Sequence, residues 1–312
     1  PAVGLDAVED QFHVGDVPAN ARAITSATSD KSSLPFGLDD LVVPSKLRQH
    51  LDEFIFEARD RIEFWDLPAA KRLYPRGTGL VALFTGPAGT GKTLAAQVLA
   101  HELGLDLVRI DLAATVSKYI GETAQNLRRI FTTAAGMSAV LFFDEADALF
   151  AKRTDVRDAH DRHANADTNY LLQLVEDFAG VVVMASNKKA NIDPAFTRRI
   201  RHILDFPRPD VRMRRQIWDQ VLRELGSATS GAALEALAVL DLSGAQIKNA
   251  VLAATFVARS QHSTLAIPHL IRGIERELDK DCRILAVVTV KGWLHMPESP
   301  LTIQNMHLQV PG

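Results

Sequence analysis

Five short apolar runs punctuate the middle of this chain, at 80–85, 107–111, 139–144, 181–186 and 202–206. The first, Leu80–Phe84, is continuous rather than alternating, which marks a buried parallel strand. A helix-sized segment separates each run from the next, the pattern of a parallel sheet with crossover helices. Upstream, Leu47, Leu51, Phe54, Ile55, Ala58 and Ile62 recur at helical spacing and predict one apolar face on a helix over 47–64. After about residue 211 the strand signal stops, and 211–225, 231–240, 244–260 and 267–280 read as helices. Residues 1–35 are rich in Ala, Ser, Thr and Asp with little periodicity and read as a linker or poorly ordered arm. The last stretch, 284–312, is apolar and irregular, broken by Pro297, Pro300 and Pro311, with 287–290 as a candidate edge strand. The expected layout is an arm over 1–35, an α/β domain over 36–209, a small helical domain over 210–283 and a tail over 284–312.

Composition narrows the picture. The chain has 312 residues, 47% of them apolar, enough for a sizeable core and two domains. Its net charge of −3 leaves no overall footprint for nucleic acid or an anionic membrane. No apolar stretch has the length of a membrane span, and no signal peptide pattern opens the chain. Cys282 is the single cysteine, so no internal disulfide forms and a reducing, cytoplasmic setting is expected. No HExxH or CxxC motif supports a built-in zinc site.

The strongest local signal is Gly86-Pro87-Ala88-Gly89-Thr90-Gly91-Lys92-Thr93, a match to G-x-x-x-x-G-K-[ST]. It sits where the motif needs to sit, between the apolar run 80–85 and a helical pattern from Thr93 that Gly104 stops. The glycines let the backbone wrap a phosphate, and the helix start turns free N–H groups toward it. Lys92 is expected on the β- and γ-phosphates, the Thr93 hydroxyl on Mg²⁺, and Leu94 at the edge of the ATP site. The run Ala139–Phe143 ends in Asp144 and Glu145. Beside a phosphate loop, Asp144 is expected to hold Mg²⁺ through its water shell and Glu145 to orient or deprotonate an attacking water. Asp147 reads as a structural or capping carboxylate. Asn187 closes the run 181–186, where it can align the same water.

The phosphate loop, the Asp144-Glu145 pair and Asn187 stand in the order and spacing of the AAA+ ATPases, and the chain resembles the AAA clade of protein-remodelling ATPases over roughly residues 36–283. The resemblance implies a five-stranded parallel sheet flanked by helices, a small C-terminal helical lid, ATP and Mg²⁺ as ligands, and a homo-oligomeric, usually hexameric, ring acting on a protein substrate. Ser117-Lys118-Tyr119-Ile120-Gly121 resembles the first pore loop of that clade, with Lys118, Tyr119 and Ile120 gripping an extended chain. The segment from Ile192 to His202 resembles the one that carries arginine fingers, with Arg199 as the first and Arg201 as the second. Gly244 and Ala245 correspond to residues near the adenine and ribose. Gln246 stands where many superfamily members carry a lid arginine, so none is expected here. Arg212, Arg214 and Arg215 read as a solvated or interface face. The stretch 152–167 holds His160 and His163, but no closed ligand set, so a solvated loop is expected over a metal site. Asp161-Arg162-His163-Ala164-Asn165 and the short finger segment resemble bacterial AAA ATPases encoded with contractile injection systems. A nucleotide-gated scaffold with little turnover and a nucleic-acid motor of the same superfamily stand as the alternative functions.

Overall fold

A computed structural model describes residues 37–74, 79–111, 122–147, 170–187, 198, 200–227 and 230–281. The tail, the arm, the Lys118-Tyr119-Ile120 segment, Arg199 and the stretch with His160 and His163 lie outside these residues.

Helix α1 (Ser45–Asp66) and the short α2 (Pro68–Leu73) lead into strand β1 (Leu80–Thr85). Then follow α3 (Lys92–Leu103), β2 (Asp106–Asp111), α4 (Glu122–Ala135) and β3 (Ala139–Asp144). Helical residues 170–177 (α5) precede β4 (Val181–Ser186), and β5 (His202–Asp205) closes the sheet. The five strands are all parallel in the order β2-β3-β4-β1-β5. Each predicted run is a strand, within one residue of its expected ends.

Side chains alternate across a strand, so the buried runs feed two cores at once. Val81, Leu83, Leu141, Phe143, Val182 and Met184 face α4 and α5, meeting Leu127, Phe131 and Val175. Leu80, Ala82, Phe84, Val140, Phe142 and Val183 face α1 and α3, meeting Leu51, Phe54, Ala96 and Leu99. Phe84, Phe142 and Phe143 are fully buried, and each contributes roughly 1.5–3 kcal/mol of burial. Because every crossover returns the chain in the same direction, the C-terminal ends of all five strands open on one edge. That edge carries Thr85, Asp144 and Ser186.

Helix α1 departs from its predicted face. Leu47, Leu51, Phe54 and Ile55 are buried as expected, but Ile62 is 76% exposed and Arg61 is buried in its stead. The last turns of α1 pass the turn before β4, where the carbonyl of Gly180 already accepts from Leu80 N–H at 3.1 Å and has a second lone pair free for a donor. Arg61 Nη1 supplies it at 3.0 Å.

Beyond the sheet, α6 (Val211–Glu224), α7 (Gly231–Val239), α8 (Gly244–Ser260) and α9 (Ile267–Lys280) pack around Trp218, Leu222, Ile247, Ala254, Leu270 and Ile274. Three of the four start on a side-chain cap. Asp210 accepts from Met213 N–H at 2.8 Å and Ser230 from Ala233 N–H at 3.3 Å. Ser243 and Gln246 form a reciprocal capping box at 2.8 and 3.3 Å. Arg214 is buried rather than solvated, because Ala238 and Pro209 each offer it a carbonyl at 2.7 Å and so tie α6 to α7. Among the described residues no helix is long and apolar enough to cross a membrane.

Candidate functional site

The loop between β1 and α3 is built on backbone that only glycine adopts without strain. Gly86 has φ 139°, and a Cβ there would lie 2.1 Å from the Phe206 carbonyl oxygen. Gly89 has φ 76°, and a Cβ there would lie 2.7 Å from Ser243 Oγ. The first clash reflects how closely the end of β5 clasps the loop, with Phe206 N–H donating to Thr85 O at 2.7 Å. The second reflects how closely the helical cluster approaches it.

Lys92, at the first position of α3, is only 7% exposed. Its ammonium donates to Gly86 O at 2.7 Å, Pro87 O at 2.8 Å and Asn187 Oδ1 at 2.8 Å. Burial pulls its pKa below the ordinary amine value, and the charges of Asp144 and Asp147 partly offset this. A cation held so by neutral acceptors, at a helix N-terminus, is prepared for an anion. Thr90 Oγ1 braces the loop by donating to Pro87 O at 2.9 Å.

The neighbouring strand ends are tied to one another. Asp144 Oδ1 accepts from the Glu145 N–H at 3.0 Å, and Oδ2 pairs with the Arg109 guanidinium on β2. Glu145 is exposed and has φ 51°, a left-handed turn that carries its side chain off the strand line. Asp147 accepts from the buried Ser186 hydroxyl and, at 3.1 Å, from the Asn187 N–H. The structural role read for Asp147 is the one it has. Asn187 is therefore held twice, by its backbone to Asp147 and by its side chain to Lys92.

A cleft of about 680 Å³ lies between these strand ends and the helices. Ala88–Leu94, Asp144 and Asn187 line its floor, and Gly244, Ala245 and Lys248 of α8 its roof. The Ala245 N–H donates to Gly89 O at 3.2 Å, so α8 meets the loop directly. Gln246 is committed elsewhere: besides its cap it donates to Asp281 Oδ2 at 2.8 Å. The apolar end of the cleft is formed by parts that carried no sequence signal. They are the strap 40–44 ahead of α1 and the side chains of Met213 and Ile217 on α6. Gln220 closes strap to helix, donating to Asp40 O at 3.0 Å. An apolar slot beside a glycine-lined, cation-bearing loop suits a planar base joined to phosphates.

Thr93 and Asp144 share this cleft and offer hard oxygen donors, which suits Mg²⁺. Among the described residues no cluster of three His, Cys, Asp or Glu side chains exists to hold a metal by itself. The ion that fits here takes the remainder of its shell from phosphate oxygens and water.

Arg201 is not brought to this cleft. It precedes the first residue of β5, at the opposite end of the strand from Asp205, which pairs in register with Thr85. It is 52% exposed, and its Nη1 lies 2.7 Å from Glu57 Oε1 on α1. His202 Nε2 takes the other oxygen of Glu57 at 2.7 Å and stands edge-on to Phe54.

A sequence profile of the ATPase family associated with various cellular activities (AAA) matches residues 82–208. An uncharacterized AAA family ATPase, y4kL, of Sinorhizobium fredii is 41% identical over 133 residues, 42% of this chain and 40% of that protein. A proteasome-activating nucleotidase of Saccharolobus islandicus is 30% identical over 240 residues, 72% of this chain and 60% of the relative. The 26S proteasome regulatory subunit 6B homolog of Dictyostelium discoideum is 34% identical over 158 residues, 48% of this chain and 38% of its own. The chain thus spans about half the length of the curated relatives it matches.

Proposed function

We propose, from the match of residues 82–208 to the AAA ATPase family, that the chain binds Mg-ATP in the cleft, hydrolyses it to ADP and phosphate, and works as a ring-forming protein-remodelling motor. The observation that carries this reading is the convergence of Lys92, Asn187 and Asp144 on one cleft, roofed by Gly244 and Ala245.

Each residue has a task. Lys92 exchanges its carbonyl partners for the β- and γ-phosphate oxygens. The loop from Gly86 to Gly91 and the start of α3 supply N–H donors to the same anion. Thr93 and Asp144 hold Mg²⁺, which when bound offsets the phosphate charge. Glu145, exposed and next in the chain to Asp144, takes the proton of the attacking water, and Asn187 aligns that water. Gly244 and Ala245 face the base and ribose. Arg199 and Arg201 reach the nucleotide of the neighbouring subunit, where a cation stabilises charge developing on the transferred group. The displacement of Arg201 from its own chain's phosphate loop suits a group that acts on a neighbour. Lys118, Tyr119 and Ile120 grip the substrate polypeptide, moved by rotation of the helical lid over the sheet. The proteasomal names of two relatives fit a protein substrate, as do the aromatic loop and the acidic balance.

The test is one variant read in two ways. Glu145→Gln keeps nucleotide binding and loses about 100-fold or more in turnover. Full turnover would remove Glu145 from the mechanism. The same variant, weighed by light scattering, rises from monomer to ring mass on addition of Mg-ATP. A monomer in both conditions overturns the ring.

A further inference from the structure

The carboxylate assigned to the metal has a second claimant. Arg109 lies on β2, the edge strand of the sheet, directly opposite Phe142 of β3. Its neighbours Val108 and Ile110 point into the core under α4 and α5, so Arg109 points to the other face, the one covered by α1 and α3. Phe142 occupies that same face, and Asp144 follows it by two residues. Arg109 and Asp144 are thus diagonal cross-strand neighbours, within reach of a long side chain. The guanidinium takes the reach and pairs with Asp144 Oδ2, while Oδ1 accepts the Glu145 N–H at 3.0 Å. Both oxygens of Asp144 are engaged from within the protein. No step assigned to the site uses Arg109.

The two ends of the pair differ in exposure. The Arg109 side chain is 55% exposed, that of Asp144 22%. A half-solvated guanidinium leaves its partner at small cost. It is strong enough to compete with a cation that binds a lone carboxylate through water, and weak enough to yield to one that phosphates also hold.

From this geometry we infer that Arg109 is a positioning residue that sets the divalent-cation threshold of the site by competing for Asp144 Oδ2. This rests on the reading of Asp144 as the metal carboxylate. The cation meets a carboxylate already neutralised in part by its neighbour strand, so the site fills only above a set free-ion concentration. Losing the guanidinium frees Asp144 Oδ2 and leaves the site more retentive of metal. That direction is opposite to what damage to the fold would produce.

The test uses the full chain with a non-hydrolysable ATP analogue and Mn²⁺, with bound ion read by electron paramagnetic resonance and corrected for ion on the analogue alone. Arg109→Met tightens Mn²⁺ about three- to tenfold relative to the parent. Arg109→Lys, which keeps the charge, stays near the parent value. Arg109→Gln serves as the neutral variant if the methionine variant melts early. A neutral variant with parental thermal midpoint and unchanged or weaker Mn²⁺ affinity overturns the competition. A parent chain that binds the analogue but gains no Mn²⁺ from it overturns the assignment of Asp144 instead, so the two failures are separable.

Discussion

The two ends of the sheet are both polar, and they are polar in opposite ways. At the C-terminal edge, Asp147 holds Ser186 and Asn187, Asn187 in turn accepts from a nearly buried lysine, and Thr85 donates to Asp205. At the other edge, Glu57 satisfies Arg201 and His202 at once, in a half-open cluster on the flank of α1. Besides the Arg109–Asp144 pair, the first edge holds a cation on neutral acceptors where an anion can reach it. The other pairs its charges with each other. The lesson is that neither charge nor burial alone marks the site, since Arg61 and Arg214 are also buried on carbonyls: the mark is such a cation at the start of a helix, on a glycine-lined cleft.

The largest effect separating the two edges is on binding. Lys92→Met removes the cation and is expected to weaken nucleotide affinity about 100-fold while the chain stays folded, read by titration of a fluorescent ADP analogue. Retained affinity would place the anion elsewhere. Next comes the stitching. Asp147→Ala strips the buried Ser186 hydroxyl and the Asn187 N–H of an acceptor, and costs about 2 kcal/mol in denaturant unfolding. An unchanged midpoint would mean that the strand ends are held by other means. Smallest is the far edge. Glu57→Ala opens partly exposed ion pairs and costs about 1 kcal/mol or less, diminishing further in high salt. A cost as large as that of Asp147→Ala would erase the distinction between the edges.

Much of this was legible before any coordinates. The central strands β1, β3 and β4 could be read because they are buried on both faces, so their residues form unbroken apolar runs, while the edge strands β2 and β5, with exposed Arg109 and Ile203, rest on the alternation of strands with helices. The helices after 211 could be read once the strand signal stopped, and three of them prove to start on local caps, Asp210, Ser230 and the Ser243-Gln246 box. The phosphate loop is legible because its backbone demands glycine. Other features stayed hidden because they depend on what is distant in sequence. Arg61 is buried because it reaches the carbonyl of Gly180, 119 residues away, a contact that no local pattern shows. Arg214 is hidden by two carbonyls that periodicity cannot see. The strap 40–44 lends the cleft mostly small aliphatic surface, with no motif to flag it. Arg109 meets Asp144 only once β2 and β3 are in register.

The hydrogen bond from Ala245 N–H to Gly89 O has a consequence of its own. It joins the first turn of a helix to the crest of the phosphate loop through main-chain atoms at both ends. No exchange of side chains deletes such a link. Proline at 245 alone removes the donor, and at 89 the left-handed backbone already confines the choice to glycine. Drift in this part of the chain is free to reshape the walls of the cleft, while the fastening between its floor and its roof is inherited with the backbone itself.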